Sequence, residues 1–136
     1  MSAERALAAA VLAAARADAN VKALLGDPAR FWDEPPREAA FPYATLGRVE
    51  TRALDASGAY ALEHRLTLHV WSRYGGRAEA LDIIAALRAR LHDAALSVSG
   101  RTLVFLFAVF ADVFRSGDGF TTHGVLRLRA VTEPAS

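Results

Sequence analysis

The sequence contains no cysteine, and that single absence removes disulfides, thiolate zinc sites, iron–sulfur clusters and thiol nucleophiles together. Lysine is nearly missing too: Lys22 stands alone among 16 basic residues, and 15 acidic residues bring the formal net charge to +1. A nucleic-acid-binding domain carries a marked basic excess on one face, so this balance argues against a grip on phosphate backbone. The preference for arginine over lysine is explained more simply by a GC-rich genome than by phosphate binding. Long hydrophobic runs are also lacking, since nothing approaches the ~20 consecutive apolar residues that a membrane-spanning helix needs. The segment Ala6–Ala15, followed by Ala17-Asp18-Ala19, has the outline of a secretory leader. Glu4 and Arg16 interrupt that pattern, and alanine is a stronger helix former than hydrophobe, so an amphipathic N-terminal helix is the better reading.

Catalytic signatures are absent as well. The four histidines show no metal-binding spacing. His64 and His69 are separated by an odd number on one predicted strand, which sends them to opposite faces and prevents a shared metal. His92 falls at a helix C-terminus, where the dipole favours it, and His123 opens the last strand. No nucleophile-elbow pattern occurs, and Ser72, Ser97, Ser99 and Ser116 fall in turn or loop contexts. Gly75-Gly76-Arg77 lacks the Lys-Ser/Thr of a phosphate-binding loop and reads as a plain strand-to-helix turn. The sequence therefore assigns no catalytic residue, no metal and no cofactor, and points away from an enzyme.

What is present suits one domain with one core: 136 residues, of which 53% are hydrophobic, slightly more than usual and consistent with apolar surface kept for a partner. Residues 1–26 read as helical, with Ser2 as N-cap, the stripe Leu7, Val11 and Ala14, a second stretch from Asp18, and Gly26 as the stop. Residues 27–42 read as a proline-rich loop anchored by Phe31, Trp32 and Phe41. Residues 43–133 read as hairpin, helix, hairpin. Strands are predicted over 43–54 and 59–72, joined by a turn at Asp55-Ala56-Ser57-Gly58, with Leu62, Leu66, Leu68 and Val70 on the core side. A helix over 77–92 carries Ala80, Ile83, Ile84, Leu87 and Leu91. The run from Leu103 to Phe110 is apolar on both alternating faces, which requires a central strand covered on both sides or a face covered by another chain. Arg115-Ser116-Gly117-Asp118-Gly119 is a turn signal before a last strand over 120–132. The fold class expected is α+β: an antiparallel four-stranded sheet with the N-terminal and central helices packed mainly on one face.

Several phrases resemble a known family when taken in order. They are Val21-Lys22-Ala23-Leu24-Leu25-Gly26; Pro35-Pro36 with Phe41-Pro42-Tyr43-Ala44-Thr45-Leu46-Gly47; His64 to Arg73 leading into Gly75-Gly76-Arg77-Ala78-Glu79-Ala80; and His123 to Glu133. Together they are similar to the tail terminator, or tail completion, proteins of long-tailed phages and phage-derived gene transfer agents, over nearly the whole chain. The resemblance implies a structural protein of such a particle, assembled in the bacterial cytoplasm. It implies a ring of identical subunits, typically a hexamer, at the head-proximal end of the tail tube. Its partners would be itself, the tail tube protein and a head–tail connector or stopper, with DNA passing only transiently through the lumen and no membrane. A head-completion or connector protein of the same particle is the alternative.

The expected contact residues fall in two groups. Arg48, Glu50, Arg52 and Asp55 lie on a polar hairpin arm that would touch the neighbouring ring. Val104, Leu106 and Phe110 lie on the two-faced apolar strand and would meet the next subunit. Trp71, on the side away from the aliphatic stripe, would be either an interface anchor or a cap on the edge of the core.

Overall fold

A computed structural model of the chain describes residues 1–54 and 60–135. Helix α1 spans Ala3–Ala17, and the Ser2 hydroxyl accepts a hydrogen bond from the amide of Arg5, satisfying one of the donors a helix start leaves unpaired. Asp18 ends α1 and at once caps α2 (Ala19–Leu25), its carboxylate accepting from the amides of Asn20 and Val21. The stop at Gly26 has φ +90°, a conformation that glycine adopts without strain. Helix α3 covers Ala78–Leu91 and buries Ala80, Ile83, Ile84, Leu87 and Leu91, the residues its 3.6-residue periodicity selects.

The sheet departs from the sequence reading. Among the described residues it has five strands in the order β1-β2-β3-β5-β4: β1 Phe31–Trp32, β2 Tyr43–Ala53, β3 Leu62–Ser72, β4 Arg101–Arg115 and β5 Thr122–Pro134. The strand missed is β1, which pairs parallel to β2 through Phe31↔Ala44 and Trp32↔Thr45; two residues inside a proline-rich loop are too few to show periodicity. The other pairings are antiparallel. The turn expected at 55–58 lies outside the described residues, and β3 begins at Leu62 rather than 59 because Tyr60, at φ +51°, is not extended. Ser72, read as a turn residue, ends β3 fully buried and donates to the Glu79 carboxylate at 2.8 Å, tying the strand to the first turn of α3.

All three helices contribute to a core on one face of the sheet: Leu7, Val11 and Leu25 pack with Ile83, Leu87 and Leu91 over Leu66, Leu68, Leu126 and Leu128. Gly124 lets α3 approach closely, since a Cβ there would lie 3.2 Å from Ile84 Cγ1 and from Val70 Cβ. At one end the core turns polar. His64 is fully buried and bonds Thr51 Oγ1 at 3.0 Å through Nδ1 and Thr132 Oγ1 at 2.8 Å through Nε2. Arg101 Nε donates to the same Thr132 hydroxyl at 3.2 Å. Every member of this network has a partner, which is the condition for burying polar groups at little cost.

Candidate assembly surface

The register fixes what the helix-free face of the sheet presents, because residues paired directly across antiparallel strands share a face. Trp71↔His123, His69↔Val125, Thr67↔Arg127 and Arg65↔Arg129 are such pairs on β3 and β5. From β4 the same rows receive Phe114, Asp112, Phe110 and Phe107, and from β2 Glu50 and Arg52 sit opposite Arg65 and Glu63. Aromatic and arginine side chains therefore alternate along this face. Arg127 stands 4.7 Å from the centre of the Phe110 ring and Arg129 5.1 Å from that of Phe105, a favourable use of a guanidinium beside a π-face. Arg129 also holds the Glu63 carboxylate at 2.8 Å, and that hydrogen bond is the main reason the Glu63 pKa lies below the usual carboxylate value.

At one end of the face four rings close together. Trp71 stacks on His123 with ring centres 4.0 Å apart and planes within 14°, and Phe114 lies 5.0 Å from the same imidazole. His69 Nδ1 meets His123 Nε2 at 2.8 Å, a hydrogen bond that needs a proton on one nitrogen and a lone pair on the other. Burial lowers the pKa of both imidazoles; Arg127 lowers His69 further, and His69 does the same for His123. Gly47 gives His69 its place, since a Cβ there would fall 2.5 Å from His69 Nε2. Among the described residues no three His, Asp or Glu side chains converge as a metal site would require.

The two-faced apolar strand proves to be an edge, β4, not a central strand. Its irregularities at Leu103/Phe105 and Ala108/Phe110 are bulges that shift which side chains face the core. Beyond Ala108 it becomes an apolar ridge in solvent: Val109 is 56% exposed, Phe110 45% and Phe114 39%.

A family model described as tail completion protein gp17 matches residues 9–133. The chain belongs to the tail completion protein gp17 family. The curated tail completion protein gp17 of Bacillus phage SPP1 is 29% identical over 99 residues, covering 71% of this chain and 72% of that protein. The solved structure of bacteriophage SPP1 gp17 superposes with a TM-score of 0.65 at 25% identity, covering 94% of this chain and 89% of that one. A chain in the structure of the virion of a native gene transfer agent particle superposes with a TM-score of 0.89 at 29% identity, covering 97% and 98%.

On this tail completion fold the contact residues expected from the sequence separate. Arg48 and Glu50 line a concavity of about 510 Å³ together with Arg65, His69, Val109 and Arg127, so the arm and the β4 ridge face one depression. Arg52 is exposed at the end of β2, and Asp55 lies outside the described residues. Phe110 is on the ridge, while Val104 is 49% exposed at the first bulge. Leu106 is a correction: it is fully buried in the core of its own chain, because the residues at the bulges take up the alternation and turn it inward. Trp71 is half-buried in the ring cluster rather than free. The sequence reading missed His123, Phe114 and Arg127; the β4–β5 hairpin sets Arg127 beside Phe110 and His123 beside Phe114, and only the distant β3–β5 register brings that end of the hairpin beside Trp71.

Proposed function

We propose that this chain caps the head-proximal end of a phage-like tail tube as a ring of identical copies, halting tube growth and offering its other surface to the head connector. The observation that carries the reading is the full-length match to a chain of a gene transfer agent virion, joined to a ridge of exposed aromatic and aliphatic side chains on one sheet edge. Isolated globular proteins rarely leave such a ridge uncovered. Capping a polymer requires one surface that resembles the next tube ring and another that refuses further addition. The segment from Arg48 to Tyr60 is assigned to contact the neighbouring tube ring, and the near-neutral net charge suits a passage that must not hold DNA.

The experiment is to delete residues 53–58 from the gene in a strain that makes the particles, and to image the tails. A folded variant should yield tubes of irregular length without heads. Tails of normal length joined to heads would remove the assignment of the arm. Material in which the chain travels with filled heads lacking tails would replace the reading with that of a head-completion protein.

A further inference from the structure

We infer that neighbouring copies join edge to edge, the free half of β4 in one copy adding as an antiparallel strand to the outer side of β2 in the next. This rests on the ring reading and names the surfaces that close it.

A strand edge presents a row of backbone donors and acceptors that natural proteins pair, cover or disrupt. In the first half of β4 the edge is covered by the chain itself. The amide of Asp93 donates to the carbonyl of Leu106 at 2.7 Å, and the amide of Ala108 donates to His92 Nδ1 at 3.0 Å, so the end of α3 seals the middle of the strand. From Val109 to Arg115 no described residue pairs with the outer side, and here the exposed Val109, Phe110 and Phe114 are concentrated. The opposite edge of the sheet has a matching gap. β1 covers β2 only at Ala44 and Thr45, and from Leu46 to Ala53 the outer side of β2 pairs with no described strand. Among the described residues the sheet therefore carries two unpaired strand edges at opposite sides, one apolar and one polar. Such a pair of unlike surfaces forms a head-to-tail contact, the kind that closes rings.

Strand direction and face agree with the join. β2, β3, β5 and β4 alternate in direction, so β4 runs opposite to β2, and a second copy in the same orientation continues the antiparallel order. Phe110, Asp112 and Phe114 share the helix-free face with Glu50 and Arg52. To keep that face continuous, register changes come in steps of two. One step sets Asp112 against Glu50, a repulsion. The next sets Asp112 against Arg52 and Phe114 against Glu50. A further step carries Asp112 past the end of β2, while a shift toward Arg48 meets the irregularity between Leu46 and Val49. The register with Asp112 beside Arg52 is the one that pairs opposite charges on regular strand.

The lack of cysteine makes the test direct. Residues facing each other across an antiparallel pair lie within disulfide reach, so Arg52→Cys and Asp112→Cys are introduced singly and together, and mild oxidation is followed on non-reducing gels. The purified protein and assembled particles are both used. The doubly substituted chain should form a ladder of covalent multimers, and a mixture of the two singly substituted chains should stop at dimers. Asp112→Cys alone should stay unlinked. In parallel, Arg52→Asp and Asp112→Arg should each weaken association and the double exchange should restore it, with unchanged melting showing that each variant folds. Efficient linking of Asp112→Cys alone would overturn the proposal in favour of β4 against β4. Particles that contain the chain yet show no linkage between β2 and β4 would overturn it while leaving the terminator reading in place. Particles without the chain would count against that reading instead, and linkage of the purified chain would still stand for the edge contact.

Discussion

At the level of single residues, histidine governs how the molecule responds to acid. Burial lowers the pKa of His64, His69 and His123 from 6.5, so the unfolded chain takes up protons more readily than the folded one. Their contribution to stability is therefore complete above about pH 6.5 and is lost as the pH falls through that value toward the lower folded values. Glu4, Glu63 and Asp118 also have lowered values, Asp118 to about 2 because the amides and hydroxyl of its own turn hydrogen-bond its carboxylate. Those carboxylates add stability that is present above about pH 4.5 and drains as the pH falls further. Melting temperature measured from pH 8 to pH 4 should accordingly be level at first, begin to fall below about 6.5 and steepen below about 4.5. A melting temperature that holds or rises between pH 6.5 and 5 would show that the imidazoles are not held neutral. None of this was visible in the sequence, where His64 read only as a residue on the far side from His69. Its partners Thr51 and Thr132 come from two other strands, and a polar residue gives no periodic signal of its burial.

At the level of elements, legibility tracked local chemistry. The helices were legible because capping and periodicity act within one turn, as at Ser2, Gly26 and Leu87. The core side of β3 was equally plain in the alternation of Leu66, Leu68 and Val70. Strand order was not, because it is a property of distant pairing: the apolar run in β4 left open a central strand or one with a face covered by another chain, and it lies at the edge, its two bulges being invisible in a count of hydrophobic residues. The joint between α1 and α2 gives a quantitative check. Asp18 is the last cap of one helix and the first of the next, bonding two amides of α2. Asp18→Ala should lower stability by about 1 kcal/mol, and Asp18→Asn should recover most of it. Denaturation midpoints that coincide for wild type and Asp18→Ala would show that the cap is not what joins the two helices.

At the level of the whole molecule, the chain is a tail completion family member whose helices and core occupy one side of a sheet and whose other side and two edges face outward. The sequence identified the family because its short phrases keep their order, whereas the surfaces that would join copies became definable only once strand order was known. Ring and cap both require the ridge of Val109, Phe110 and Phe114 to be covered by a neighbour at the top of the tube. The direct measurement is cryo-microscopy of intact particles at a resolution that distinguishes this fold. Density for a closed ring of this chain at the head-proximal end of the tail tube, with that ridge buried between copies, is the result the account requires. Placement elsewhere in the particle, or particles complete without it, would contradict the account.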